Sequence, residues 1–118
     1  MASHNDFGKQ AEEHAATWLV ERGYRILQRN WRYGKLEIDI IAQKEKFLHF
    51  IEVKARHGNE FGYPEESVTR SKFKKLQRGA NEYLFRYKTG EWICFDIVAI
   101  TYYPNRDPEF FLIEDLFL

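Results

Sequence analysis

The chain has 118 residues, of which 44% are hydrophobic and 17% aromatic, so it can bury the core of one ordinary domain. Its 18 basic and 18 acidic residues balance to a net charge of zero, and no apolar run reaches the length of about 18 residues that a membrane span needs. The single cysteine, Cys94, excludes a disulfide framework and a cysteine-rich zinc site within one chain. We therefore expect one domain over residues 1–118, in the cytoplasm, with no secretory signal and no membrane partner.

The predicted elements follow the order α-β-β-β-α-β-β. Apolar residues at helical spacing predict helices over residues 6–22 and 70–88. Apolar runs bounded by turn residues predict strands over 24–31, 36–42, 47–54, 92–102 and 109–114, the last at a sheet edge. The polar stretch 43–46 predicts a hairpin between the second and third strands, and the glycines and proline of 55–67 predict a loop. This order favours an α/β fold with a mixed central sheet flanked by helices.

The neutral total hides two cationic segments. Residues 22–35 hold five basic residues and no acid, and residues 70–88 hold seven basic residues and one acid. On the second predicted helix, Lys74, Lys75 and Arg78 fall outside the apolar stripe. These three residues, with Lys72 and Arg56, are the candidates for contacts with DNA phosphates, and a solvated surface is the alternative for each of them.

The second and third predicted strands carry charged residues inside apolar runs. Alternate side chains of a strand share a face, so Glu37 and Asp39 should point away from Leu36, Ile38 and Ile40. On the third strand, Leu48, Phe50, Glu52 and Lys54 should share one face, and Phe47, His49, Ile51 and Val53 the other. Pairing of the two strands as a hairpin would bring Asp39 close to Glu52.

Bunched carboxylates repel each other, and a hard divalent cation is the usual reason for their proximity. Such a cation acidifies a bound water and stabilises charge on an attacked phosphate. Lys54 lies two residues after Glu52, about 7 Å further along the same strand face, from where its ammonium can reach the water or a phosphate oxygen. An acid separated by twelve residues from a following acid-x-Lys therefore predicts phosphodiester hydrolysis. The alternative is an ordinary surface ion pair.

The motifs of the chain resemble those of the YraN-like family of small bacterial proteins. The family pattern G-x-x-G-E-x-x-A corresponds to residues 8–15, R-N-x-R to 29–32, G-E-I-D-L-I-A to 36–42 and F-V-E-V-K-x-R to 50–56, followed by Phe61-Gly62, Val68-Thr69, Lys72 and residues 95–98. Ala11 and Leu36 stand where the family has glycine, and Cys94 where arginine is frequent. No expected catalytic group is lost, although Leu36 adds bulk where a substrate would approach.

The resemblance implies a restriction-endonuclease-like fold of the PD-(D/E)xK type, related to Holliday-junction resolvases. It implies that Asp39 and Glu52 bind the metal with the Val53 carbonyl, that Lys54 orients or activates the water, and that Glu12 is the acid from the first helix. The expected cofactor is Mg²⁺ or Mn²⁺ and the expected partner is DNA, with branched DNA as one candidate substrate.

Two further functions stay open at the level of sequence. The first is a nucleic-acid-binding module of the same fold with little or no catalysis. The second is a protein-interaction domain that uses its aromatic surface. A homodimer would suit a small domain that cuts duplex DNA, because two strands need two sites.

Overall fold

The predicted order of helices and strands is confirmed. A computed structural model describes residues 4–58, 70–87 and 92–114, with side chains from Phe7 onward. Its elements are α1 (His4–Glu21), β1 (Arg25–Tyr33), β2 (Leu36–Lys44), β3 (Phe47–His57), α2 (Arg70–Tyr87), β4 (Trp92–Tyr103) and β5 (Arg106–Ile113). The predicted loop began too early, because residues 55–57 still pair with β4 and belong to β3. The rest of that loop, from residue 59, lies outside the described residues, as does the predicted helix stop at residues 89–90.

The five strands form one mixed sheet in the order β1-β2-β3-β4-β5. The β1–β2, β2–β3 and β4–β5 pairs are antiparallel, which confirms the predicted hairpin, whereas β3 and β4 are parallel. The parallel pair follows from α2, since a strand can run alongside its predecessor in the same direction only after a crossover connection. Within the described residues, neither helix combines the length and the apolar character that crossing a membrane requires.

Each face of the sheet is covered by one helix, which produces two cores. On the α2 face, Phe73, Leu76, Ala80 and Tyr83 pack against strand residues that include Trp31, Ile38, Ile41, Leu48, Phe50, Phe95 and Ile97. On the α1 face, Ala11, Ala15 and Leu19 pack against strand residues that include Ile40, Ala42, Ile51, Val98 and Ile100. Gly79 lets α2 approach β2 closely, because a Cβ at this position would lie 3.2 Å from Ile38 Cδ1.

The prediction that side chains alternate strictly between the two faces of β2 is wrong at one point. Ile38 and Ile40 were expected on the same face, but Ile38 belongs to the α2 core and Ile40 to the α1 core. The reversal occurs at Asp39, where the β2–β3 ladder has its last pair at Ile40 and Ile51. Across from Asp39 on β1, Asn30 has a positive φ of 53°, so both strands are irregular here. The predicted alternation of β3 is confirmed, with Leu48 and Phe50 facing α2 and Ile51 facing α1.

A buried hydrogen bond that sequence reasoning missed joins His49 of β3 to Asp96 of β4. His49 Nδ1 lies 2.5 Å from Asp96 Oδ2, and the two residues are 8% and 0% exposed. The ring of Tyr24 meets the His49 ring edge-on at 5.1 Å between centroids. Burial, followed by the nearby Asp96 charge, raises the pKa of Tyr24 to about 12. The pair thus lies in a water-poor part of the α1 face.

Removal of the Asp96 carboxylate should be costly. Asp96→Ala leaves His49 buried without this partner, and breaking a buried pair typically costs about 3 kcal/mol or more. Urea unfolding measures the loss. The matched control is Glu109→Ala, which removes an exposed ion pair with Arg106 and should cost less than about 1 kcal/mol. Equal losses in the two variants would show that the buried pair contributes no more than a surface one.

Candidate active site

The site forms where β2 and β3 separate. Asp39 and Glu52 would be the next pair after Ile40 and Ile51, but the ladder stops before them. The Asp39 side chain links the two strands where the backbone ladder has ended, since its Oδ2 accepts a hydrogen bond of 2.9 Å from the backbone N–H of Val53. The bond fixes the Asp39 carboxylate between the two strands, beside Glu52 and Val53.

Three carboxylates converge on the α1 side of this point. Glu12 from α1 and Glu37 and Asp39 from β2 each offer an oxygen, and these oxygens lie within 4.8 Å of one another. They line a cavity of about 680 Å³, here called the acidic cleft, whose described lining is Gly8, Lys9, Glu12, Asn30, Arg32, Glu37, Asp39 and Val53. The cleft is therefore built by the first helix and the first three strands.

Asn30 belongs to the cleft through an unusual backbone conformation. Its neighbours Arg29 and Trp31 pair with Ile40 and Ile38, which places Asn30 across from Asp39. Asparagine adopts the left-handed region more readily than most residues because its short side chain can bond locally. Here the side chain hydrogen-bonds Glu12. The conformation thus brings a neutral polar group to the acids.

The carboxyl groups of Glu12 and Asp39 lie in surroundings that disfavour their charged forms. Burial and then the neighbouring charge of Glu52 raise the pKa of Asp39 to about 8. Burial is also the main cause that raises the pKa of Glu12, and the charge of Glu37 adds to it. A divalent cation would reverse this penalty, because it favours the charged form of every oxygen that it contacts.

A second cavity adjoins the first on the α2 side of β2 and β3. It measures about 260 Å³ and is lined by Lys35, Leu36, Glu37, Glu52, Lys54, Lys72, Lys75 and Leu76. We call it the lysine cleft. Within it, Lys54 Nζ lies 3.6 Å from Glu52 Oε1. Burial raises the pKa of Glu52, although Lys54 opposes the rise, and the adjacent Lys54 ammonium lowers the pKa of Lys72.

Comparison with known proteins places the chain in a family. The model of the uncharacterised protein family UPF0102 matches residues 11–100. The chain belongs to this family. A UPF0102 protein of Flavobacterium psychrophilum is 41% identical over 99% of this chain and 98% of its own length. UPF0102 proteins of Chlorobium phaeobacteroides and Phocaeicola vulgatus are 50% and 42% identical over 81% and 85% of this chain, and over 77% and 83% of their own lengths.

The UPF0102 match includes the described lining of the lysine cleft and, apart from Gly8 and Lys9, that of the acidic cleft. It confirms the family that the motifs indicated under the name YraN-like. Among the predicted site residues, Glu12, Asp39 and Val53 lie together in the acidic cleft. Glu52 and Lys54 line the lysine cleft, so the predicted single surface is divided in two at the strand separation. Glu37 lines both cavities and joins them.

The residues predicted to contact DNA are spread over β3 and α2. Lys72 and Lys75 line the lysine cleft. Lys74 and Arg78 are exposed on α2. Arg56 lies further along β3, where its Nε donates a hydrogen bond of 3.3 Å to Thr101 Oγ1. A cationic surface thus borders the lysine cleft along the helix.

Sequence reasoning gave too little weight to Glu37, Asn30 and Arg32. Alternation along β2 placed Glu37 on the face of Asp39, and that pattern was sufficient to predict Glu37 as a site residue. Asn30 and Arg32 belong to the R-N-x-R pattern on which the resemblance to the YraN-like family partly rests. Arg32 Nη2 lies 3.4 Å from Glu37 Oε2, so it holds one carboxylate of the acidic cleft.

Proposed function

We propose that this UPF0102 protein is a metal-dependent nuclease that hydrolyses phosphodiester bonds in DNA. The observation that carries the proposal is the convergence of Glu12, Glu37 and Asp39 beside Glu52 and Lys54. The α/β order and the mixed sheet are compatible with a restriction-endonuclease-like fold. A structural role for the same acids has less support, because burial and repulsion raise the pKa of Asp39 rather than lower it.

The donor set suits Mg²⁺ or Mn²⁺, which prefer oxygen ligands. In the proposal Asp39 and Glu52 hold the ion with the Val53 carbonyl, and Glu12 and Glu37 bind its waters or the ion itself. A bound ion of this kind polarises the phosphoryl oxygen and acidifies a water. The proximity of the acids is the feature of this chain that such an ion would explain.

Lys54 is the group proposed to act on the nucleophile. It is half-buried beside Glu52, and an ammonium donates hydrogen bonds to a water or to a phosphate oxygen. In hydrolysis the water oxygen forms a bond to phosphorus and loses a proton to solvent. The bond from phosphorus to the leaving sugar oxygen breaks, and that oxygen takes up a proton. The products are a phosphate monoester and a free hydroxyl.

The proposal is tested with purified protein on linear duplex, single-stranded and four-way-junction DNA, with Mg²⁺, with Mn²⁺ and with EDTA. We expect cleavage in the presence of metal and none in EDTA. Binding without cleavage in every metal buffer would favour the nucleic-acid-binding module. Neither binding nor cleavage would favour a protein-interaction domain, for which the exposed Phe85 and Trp92, at 75% and 74%, offer apolar contacts.

The exposed face of α2 is proposed to contact the DNA backbone. Lys74→Glu combined with Arg78→Glu should weaken DNA binding and reduce the salt dependence of the binding constant by about one unit of slope for each lost contact. Fluorescence anisotropy over a salt series measures both quantities. The control is Lys46→Glu in the β2–β3 turn, about 20 Å along the strands from the site. An unchanged slope in the double variant would make this face an ordinary solvated surface.

A homodimer is the arrangement proposed for cutting both strands of a duplex, because one site cuts one strand at a time. Analytical ultracentrifugation with and without duplex DNA tests it. A monomer in both conditions that still makes double-strand breaks would rule out the need for a partner copy.

A further inference from the structure

The lysine cleft lies beside the carboxylate cluster and shares Glu37 with it. It lies on the α2 side of β2 and β3, whereas Glu12 and Asp39 lie on the α1 side. Its positive groups come from three parts of the chain, namely the β1–β2 turn (Lys35), β3 (Lys54) and the first two turns of α2 (Lys72 and Lys75). Four ammonium groups from distant positions therefore line one cavity.

The charge of this cavity is unbalanced. Its two carboxylates are both engaged, since Glu37 lies 3.4 Å from Arg32 and Glu52 lies 3.6 Å from Lys54. Among the described lining residues, two carboxylates against four lysines leave a net charge of two positive units. The N-terminal end of α2 adds to them, because the first turn of this 18-residue helix has no acidic residue and its N–H groups carry partial positive charge. The cavity is therefore suited to a group with two negative charges.

Among the phosphates of DNA, the terminal phosphate monoester is the dianion. An internal phosphodiester carries one negative charge, whereas a phosphate monoester carries about 1.5 to 2 at neutral pH and has three acceptor oxygens. Several lysines in a cavity walled by Leu36 and Leu76 match the monoester better than the diester. An extended cationic groove would be the arrangement that suits successive diesters.

We propose that Lys35, Lys72 and Lys75 of the lysine cleft bind the terminal phosphate of a nucleic-acid strand, beside the Lys54–Glu52 pair of the proposed catalytic site, and so direct cleavage to phosphorylated ends. This inference rests on the proposed nuclease function and specifies its substrate. Glu37 lines both clefts, so the two clefts meet at this residue. In the proposal, a strand whose end lies in the lysine cleft continues into the acidic cleft. Cleavage would then release the terminal nucleotides.

The binding half of the proposal is tested without metal, so that it does not depend on catalysis. The affinities of short single strands with a 5′-phosphate, a 3′-phosphate or two hydroxyl ends are measured in EDTA, with inorganic phosphate as competitor. We expect at least a tenfold preference for one phosphorylated end, and competition by inorganic phosphate. Lys72→Gln and Lys75→Gln should each remove most of this preference, whereas Lys46→Gln should keep it. Equal affinities for phosphorylated and hydroxyl ends in the wild type would overturn the proposal.

The catalytic half compares cleavage of the same strands and of circular single-stranded DNA in Mg²⁺. We expect cleavage of the phosphorylated strand at least tenfold faster, with little on the circle. Equal cleavage of all of them would overturn the end-directed proposal and leave the nuclease function standing. Absence of cleavage on every substrate would instead remove the nuclease function, and the affinities in EDTA would still decide whether the cleft recognises a terminal phosphate.

Discussion

Asp39→Asn, Glu52→Gln and Lys54→Ala should each reduce metal-dependent cleavage by at least roughly a hundredfold while the fold stays intact. A metal that has lost a carboxylate ligand contributes several kcal/mol less to the transition state, and each 1.4 kcal/mol is a factor of ten in rate. Lys54→Ala removes the ammonium proposed to hold the water or the phosphate. Its loss also leaves the half-buried Glu52 without an ion pair.

Single-turnover rates on a DNA substrate measure these effects, with circular dichroism as the check on folding. Glu109→Gln is the matched control, because it neutralises an exposed acid of β5 far from both clefts in the fold. Glu37→Gln is the informative fourth variant, since the structure adds this residue to the acids expected from the sequence. Cleavage at the wild-type rate by any variant would exclude that residue from the mechanism.

The second large effect concerns the stability of the metal-free protein. The pKa of Asp39 is raised from its ordinary 3.8 to about 8 in the folded state, so folding favours the protonated carboxyl. The associated stability is fully present below about pH 4 and is lost as the pH rises towards 8. Each unit of pKa difference corresponds to about 1.4 kcal/mol. Even half of this rise would therefore lower the free energy of unfolding by about 3 kcal/mol at pH 8.

Asp39→Asn should therefore melt at or above the wild type in EDTA, by a margin that widens from pH 5 to pH 8. The asparagine Oδ1 can still accept the hydrogen bond from Val53 N–H, so the substitution removes charge and keeps the contact. Mg²⁺ or Mn²⁺ should raise the melting temperature of the wild type, because it binds only the folded site, and should raise that of the variant much less.

Thermal melts of both proteins at several pH values, with EDTA and with metal, measure this behaviour. A variant that melts below the wild type throughout, together with no response of the wild type to metal, would identify Asp39 as a structural group and contradict the metal site. Glu109→Gln serves again as the control, because it removes an exposed carboxylate outside the site. Its melting temperature should follow that of the wild type at each pH.

Much of the architecture could be predicted from the pattern of apolar residues. Both helices were found within two residues of their ends, because α1 and α2 each bury one clear stripe. The β2–β3 hairpin followed from the polar turn at residues 43–46 between two apolar strands. Asp39 stood out as an acid inside an apolar strand, whereas Glu12 was implied by the family resemblance, and the structure does bring the two together.

The division of the site into two clefts could not be predicted in this way. Strict alternation assumes regular strands, whereas β1 and β2 are irregular at Asn30 and Asp39, and only the folded chain shows it. The lysine cleft joins Lys35 to residues of α2, and no local spacing relates positions so far apart. The His49–Asp96 pair was missed for the same reason, since parallel pairing brings together residues from β3 and β4.

The parallel pairing of β3 with β4 has a consequence for the order in which the protein folds. The first three strands are joined by tight turns, so their contacts are local in sequence. By contrast, Phe47 pairs with Trp92, which lies 45 residues later in the chain. Closing a long loop costs entropy before its contacts form, so docking of β4 should be the slow step of folding. Glu37, Asp39 and Glu52 lie in the strands that pair locally, and Glu12 lies on the helix that precedes those strands. Lys72 and Lys75 belong to the crossover and should reach their places only when β4 docks.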